Sequence, residues 1–237
     1  MSDPRHWTRP QLLWWLAAAL VACGLKRHYS VASAAELAWM LRPVAMLLQL
    51  ITGYRFHASA AGEWQSETAG IVLVKGCAGI NFMILSFIGW CWLARPSRQA
   101  PLTLATVCIE WPVLLAASLL LAWAAALTIN VLRILTAMSL GPLLNAWLGP
   151  EEVHRLFGLA IYLPALALQL TAGERQNRGS AALVATGSYV ALMVVTPLLT
   201  GNAFDQLTDY VRQSTMVLLL VAPVAAWGLR TKRNYPL

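Results

Sequence analysis

Three residues of types that carry out acyl transfer occur in the sequence: Cys77 in "VKGCAGINFM", Arg133 in "TINVLRIL" and His154 in "GPEEVHRLFG". A thiolate attacks a peptide carbonyl, an imidazole moves the proton, and a guanidinium stabilises the oxyanion or holds the substrate. Gly76 and Gly79 flank the cysteine and are expected to leave its thiol sterically open. A helix start at this point would favour the thiolate. The residue types therefore predict a cysteine nucleophile assisted by a base and a cation.

Arg133 is the strongest of these signals, because an arginine in an apolar helix costs roughly 2.5–3.5 kcal/mol at the membrane centre and usually has a partner or a task. Asn130 precedes it by three residues and shares its helix face, so it is expected to orient the guanidinium or to bond a substrate carbonyl. Simpler interpretations remain open: an inert thiol, an arginine that snorkels to the headgroups and a histidine at headgroup level. His57 is the second candidate for the base.

The other cysteines do not indicate a metal site, a cofactor or a disulfide framework. Cys23, Cys91 and Cys108 lie inside apolar runs, where a free cysteine behaves as a small hydrophobic residue. They form no CxxC pair and have no histidine cluster beside them. The sequence also lacks the HExxH and GxSxG motifs of other hydrolases.

The composition predicts an all-α polytopic membrane protein. Of the 237 residues, 59% are hydrophobic and 11% are charged, whereas soluble domains have about 25% charged and 45–50% apolar residues. The net charge of +7 falls in short clusters between apolar runs, a pattern that reports topology rather than nucleic-acid binding. Membrane lipid is therefore an expected partner, and nucleic acid is not.

About seven apolar runs are candidate membrane helices within one domain that covers residues 1–237, judged by the roughly 20 residues that a span requires. The fourth run is so long that it must kink, overhang or break, and Pro112 is the expected kink. Before the third run, the β-prone stretches "YRFHA" and "GIVLVK" predict a small β-hairpin. The predicted helices lie near 11–25, 33–52, 78–94, 103–138, 155–172, 181–199 and 213–229.

The basic loops predict the orientation. Arginine and lysine clusters at 95–98, 175–178 and 230–233 follow alternate helices and are expected in the cytoplasm, which places the hairpin and Cys77 outside. If seven helices cross, Lys26 and Arg27 join the cytoplasmic set and the N-terminus lies outside. Arg5 and Arg9 favour the opposite orientation, and the two alternatives stay open.

The motifs "GCAGI" and, about fifty residues later, "NVLRI", followed by a histidine that opens the next helix, resemble the exosortase/archaeosortase family of membrane transpeptidases. The variant "GCAGINF" resembles its exosortase K branch, and the resemblance covers roughly 55–172. It implies that Cys77, Arg133 and His154 are the catalytic residues. Ala78 stands where the family usually has serine, so a hydroxyl is missing there.

The resemblance also implies a substrate and a location. Members cleave C-terminal sorting signals, each made of a short motif, a membrane helix and a basic tail, on the outer face of the cytoplasmic membrane. Transfer to a cell-envelope acceptor is expected to follow, and exported proteins are the expected partners. Two rival functions remain: a transporter or channel whose path is lined by Arg133 and Glu110, and a membrane scaffold. Glu110 itself is expected to have a structural or helix-pairing role.

Overall fold

The computed structural model describes residues 8–97, 102–144, 149–173 and 207–234, together with 183, 186–187, 189–190 and 194. This part of the chain is mostly helical and contains one small antiparallel sheet. The chain forms two compact units: unit 1 contains Met1–Arg42 and His57–Leu127, and unit 2 contains Pro43–Phe56 and Thr128–Leu237. The predicted helix at 181–199 falls largely outside the described residues.

Helices α1 (Arg9–Val31) and α3 (Ile80–Leu93) pack against each other in unit 1. Pro10 occupies the first turn of α1, where its missing N–H removes no helical hydrogen bond. The indole of Trp14 is fully buried, donates to the carbonyl of Cys91 at 3.0 Å and meets the ring of Trp111 edge to face at 5.9 Å between centroids. A buried tryptophan with its N–H satisfied anchors this helix pair.

Helices α1 and α3 run antiparallel, as four contacts along their length show. Near the start of α1, Gln11 donates to the carbonyl of Pro96, and Trp14 reaches Cys91. Near its end, Lys26 donates to Asn81 at 2.9 Å, and the carbonyl of Ser30 accepts from Lys75 at 3.0 Å. The sequence numbers rise along one helix as they fall along the other.

This register corrects one of the alternatives for the N-terminus. Lys26 lies at the end of unit 1 that carries Cys77, whereas the first turn of α1, with Arg9, lies at the end that carries Arg95 and Pro96. The grouping of Lys26 and Arg27 with the basic loop at 95–98 is therefore wrong. The packing agrees with the alternative that Arg5 and Arg9 favoured.

The predicted hairpin is a three-stranded sheet in which β2 (Trp64–Ser66) pairs with both β1 (His57–Ala58) and β3 (Ile71–Leu73). The two β-prone stretches do contain the outer strands, but the polar segment between them supplies the middle one. Gly62 makes the first turn with φ +81°, where an added Cβ would lie 2.5 Å from the backbone of Ala35. Only glycine fits that turn without displacing its neighbour.

Helix α2 (Ala38–Thr52) joins the two units in sequence, and two further helices of the described residues lie entirely in unit 2. Helix α5 (Pro150–Gly173) begins at Pro150, five residues before the predicted start, and α6 is Leu207–Asn234. Helix α4 (Trp111–Leu144) follows a π-helical turn at Thr106–Glu110. The expected break at Pro112 takes the form of this widened turn, because proline cannot donate to the carbonyl four residues back.

Two helical segments of the described chain, and not seven, are long and apolar enough to cross a membrane: Lys75–Leu93 and Thr106–Leu144. Helix α2 has only 15 residues, about 22 Å at 1.5 Å per residue, because a turn closed by Ser33 and Glu36 delays its start. The apolar parts of α5 and α6 cover only Leu156–Thr171 and Val217–Ala226, which are shorter than the roughly 20 residues that a span requires. The prediction of seven spans is therefore not supported.

Candidate functional site

Cys77 lies in a 3₁₀ turn, Lys75–Ala78, between strand β3 and helix α3 of unit 1. Its N–H donates to the carbonyl of Val74 at 2.8 Å, and the residue is 8% exposed. The expectation of a sterically open thiol is therefore wrong. Gly76 is exposed and has open space where a Cβ would be, so the flanking glycine faces outward and the cysteine inward.

Gly79 ends this turn and begins α3. It adopts the left-handed conformation, with φ +70° and ψ 15°, which residues other than glycine rarely adopt. The glycine reverses the chain from the 3₁₀ turn into the helix, and Ala78 and Ile80 on either side of it are buried. Its supporting role is thus conformational: it sets the backbone of the turn that carries Cys77.

The guanidinium of Arg133 is the centre of a buried polar cluster in unit 2. Arg133 on α4 is 4% exposed, and Asn130, one turn earlier, is fully buried. Its Nε donates to Asn130 Oδ1 at 3.2 Å, and its Nη1 donates to Nε2 of His154 on α5 at 2.7 Å. The structure therefore brings together Asn130, Arg133 and His154, which are three of the five predicted site residues. The other two, Cys77 and Gly79, belong to unit 1.

Tyr162 belongs to the same cluster and was missed from the sequence. Its hydroxyl donates to Asn130 Oδ1 at 2.7 Å, and its ring lies 5.5 Å from the guanidinium carbon of Arg133. His154, Gly158 and Tyr162 are spaced by four residues, so α5 presents them on one face. That spacing was the signal in the sequence. An added Cβ at Gly158 would meet Arg133 Cδ at 3.9 Å, an ordinary contact.

The groups that contact this guanidinium in the described chain are all uncharged: an amide oxygen, an imidazole nitrogen and an aromatic face. Hydrogen bonds to a charged group contribute about 1.5–3 kcal/mol each, and a desolvated cation–π contact adds up to about 2 kcal/mol. They offset the cost of burial without neutralising the charge. The cluster therefore keeps a positive field available to a negatively charged group.

The hydrogen bond between Arg133 and His154 fixes the state of the imidazole. A guanidinium can only donate, so Nε2 of His154 must accept, and the ring proton lies on Nδ1. The imidazole in this structure is neutral. The snorkelling interpretation of Arg133 does not describe this arrangement, because the charged head is held by the neighbouring helix and is buried.

One nitrogen of the guanidinium is left over. Nη2 of Arg133 is buried, and no hydrogen-bond partner is found for it among the described residues. A buried donor without an acceptor costs about 1–3 kcal/mol or more when it is charged. Nε and Nη1 hold the group in place, and the N–H groups of Nη2 remain for an acceptor that arrives from elsewhere.

The other candidate residues have different surroundings. His57 is exposed on β1, where its Nε2 lies 3.3 Å from the amide nitrogen of Gln65. Glu110 is exposed in the π-helical turn of unit 1. Cys91 is buried, and Cys23 and Cys108 are exposed. Among the described residues, no group of three histidine, cysteine or acidic side chains is placed to hold a metal ion.

Comparison with known proteins gives no family for the chain. No family model, no curated protein and no solved structure matches it. The site is therefore interpreted from its own geometry.

The cluster predicts opposite effects for two substitutions that remove one of its members. Arg133→Met replaces a buried charge with an apolar side chain of similar length, and we expect the unfolding free energy to stay the same or to rise. Asn130→Leu leaves the charge buried without its Nε acceptor and should lower the unfolding free energy by about 1.5–3 kcal/mol. Thermal unfolding of the purified protein in detergent measures both.

The double variant is the matched control for this prediction. In the Arg133→Met background, the loss caused by Asn130→Leu should be smaller, because no buried guanidinium then loses its Nε acceptor. If Arg133→Met instead destabilises the protein by several kcal/mol, the guanidinium is a structural brace and is not held for an incoming group.

Proposed function

We propose that the chain is a membrane-bound cysteine peptidase and transpeptidase of the exosortase type, which cleaves C-terminal sorting signals of exported proteins and transfers the products to an envelope acceptor. One observation carries the proposal: a buried guanidinium, held by Asn130 and His154, retains one nitrogen with no partner in the described chain. An oxyanion that forms at a peptide carbonyl is an acceptor of the required charge and shape. The motif resemblance supplies the nucleophile, Cys77.

The proposed reaction begins when the Cys77 sulfur attacks the scissile carbonyl carbon as its proton passes to His154. A C–S bond forms, the carbonyl electron pair moves to oxygen, and the N–H groups of Arg133 Nη2 stabilise that oxyanion. The tetrahedral adduct collapses to a thioester as the C–N bond breaks. The amine leaves with a proton, and the acyl part of the exported protein stays on the sulfur.

His154 carries the proton in this scheme. Its Nε2 lone pair is occupied by Arg133 Nη1 in the resting state, so it can accept the thiol proton only when that N–H turns away. The developing oxyanion offers the guanidinium a stronger acceptor and so frees Nε2. The imidazolium then protonates the leaving amine. In the second half, a nucleophilic acceptor attacks the thioester, the C–S bond breaks, and His154 returns the acceptor's proton to sulfur.

The proposal includes a multi-pass arrangement with Cys77 on the extracytoplasmic side of the cytoplasmic membrane. Support comes from unit 1, where the first turn of α1, with Arg9, lies at the same end as Arg95 and away from Cys77. Flanking arginines favour the cytoplasmic side of a span. Two lysines lie at the Cys77 end as well, so the outward placement of Cys77 rests on the alternating basic loops together with the motif resemblance.

Substitution of the nucleophile tests the activity. Cys77→Ala should abolish cleavage of a co-expressed exported protein that ends in an apolar helix and a basic tail, since no other group replaces the thiolate. Immunoblotting of precursor and product in membranes of known enzyme content measures this. Cys108→Ala and Cys23→Ala are the matched controls and should cleave normally. Cleavage by Cys77→Ala at the wild-type rate would rule out the proposed nucleophile.

Labelling of intact cells tests the sidedness. In a background of Cys23→Ala and Cys108→Ala, Ser30→Cys marks the Cys77 end of unit 1 and Ser97→Cys marks the opposite end, and both positions are exposed. A membrane-impermeant maleimide should label Ser30→Cys in intact cells and Ser97→Cys only after lysis. The reverse pattern would place Cys77 in the cytoplasm and refute the proposed location.

A further inference from the structure

Two lysine ammonium groups converge on one tyrosine ring at the end of unit 1 that carries Cys77. Nζ of Lys26 lies 5.7 Å from the centroid of the Tyr29 ring, and Nζ of Lys75 lies 5.2 Å from it. Lys26 and Tyr29 are in the last turns of α1, whereas Lys75 begins the 3₁₀ turn. The packing of α1 on α3 thus brings together two like charges that are distant in the sequence.

Each ammonium group is held in place by an uncharged acceptor. Lys26 donates to Asn81 Oδ1 at 2.9 Å, and Lys75 donates to the carbonyl of Ser30 at 3.0 Å. An ammonium has three N–H donors, so both groups keep donors for a further acceptor. The cation–π contacts with the Tyr29 ring do not neutralise either ammonium group, because each is worth about 0.5–1 kcal/mol.

The acidic side chain that acts on this pair is engaged elsewhere. Glu36 attracts Lys75 electrostatically, but its Oε2 accepts from the N–H of Ser33 at 2.8 Å and from the Ser33 hydroxyl at 2.9 Å. These hydrogen bonds, the backbone one foremost, lower the pKa of Glu36. In the described chain, no carboxylate forms a hydrogen bond with Lys26 or Lys75.

The pair lies where an apolar helix begins. Lys75 is the first residue of the candidate span Lys75–Leu93, and Lys26 is at the same level on the antiparallel helix α1. Helix α1 exposes large apolar side chains along its length, as a lipid-facing helix does. Basic side chains and tyrosine at the end of a span occupy the headgroup layer, where phosphate is the common anion. The exposed side chains are Leu12, Leu13, Leu16 and Leu20.

We propose that Lys26, Lys75 and Tyr29 form a binding site for the phosphate of an anionic lipid headgroup. The phosphate oxygens accept from the two ammonium groups, and the ring of Tyr29 packs against the glycerol and upper acyl region. The two free oxygens of a phosphodiester can accept charge-assisted hydrogen bonds from the two ammonium groups. This site does not depend on the proposed peptidase activity.

Thermal unfolding of the full-length protein in lipid nanodiscs tests the site. Discs of phosphatidylcholine with phosphatidylglycerol should give an unfolding midpoint about 2–4 °C above that in phosphatidylcholine alone, because a ligand that binds the folded state stabilises it by mass action. Lys26→Gln with Lys75→Gln should lose this increment. Lys26→Arg with Lys75→Arg should retain it, as should the control Arg27→Gln, whose exposed side chain is next to Lys26.

Each other outcome contradicts the site. An equal increment in the double glutamine variant would show that phosphatidylglycerol acts elsewhere. An equal midpoint in both kinds of disc would show that no anionic lipid is bound. A midpoint raised as much by inorganic phosphate as by phosphatidylglycerol would assign the site to free phosphate. The double glutamine variant should match the wild-type midpoint in phosphatidylcholine alone, and a large drop there would make the lysines structural.

Discussion

The burial of one positive charge among uncharged groups is the constraint on which the second unit depends. Arg133 is 4% exposed, and its described contacts are an amide oxygen, a neutral imidazole and an aromatic ring. Burial of such a group requires partners for most of its surface, and α4 and α5 present Asn130, His154 and Tyr162 together to supply them. The guanidinium sets the tautomer of His154, and Asn130 sets the direction of the Tyr162 hydroxyl.

This arrangement stabilises the guanidinium less than a carboxylate would, and the difference is informative about function. A buried ion pair would satisfy the charge and close the site, whereas neutral partners leave a positive field and one nitrogen of Arg133 without a partner in the described chain. Functional sites commonly retain such unfavourable features because a substrate or transition state completes them. In the proposed reaction, Nη2 of Arg133 would be such a feature, and the oxyanion would complete it.

Local spacing explains what the sequence could predict. The three-residue interval between Asn130 and Arg133 places them on one helix face, and the structure joins them by the expected hydrogen bond. The sequence predicted that Arg133 and His154 belong to one site, and the structure joins their side chains by a hydrogen bond. Tyr162 was missed because an aromatic residue in an apolar helix usually belongs to the core. Only its spacing from His154 indicates that its hydroxyl takes part in the polar cluster.

Tertiary packing explains what the sequence could not predict. The burial of Cys77 depends on how its turn packs, which the flanking glycines do not indicate. The middle strand of the sheet was not predicted because it is polar and short. The length of α2 depends on a turn made by Ser33 and Glu36. The sequence prediction placed Lys26 at the wrong end of unit 1, because loop charges alone do not give the register of two helices. Direct contacts of Trp14 and Asn81 set that register.

Intact-protein mass spectrometry during turnover tests whether Cys77 forms the proposed acyl intermediate, whose oxyanion Arg133 would stabilise. Rapid acid quenching of the wild-type protein with a sorting-signal substrate should trap an adduct that has the mass of the acyl part and maps to Cys77. The Arg133→Met variant, folded and at equal concentration, should accumulate no such adduct. An adduct on another residue, or equal adduct in Arg133→Met, would contradict the account.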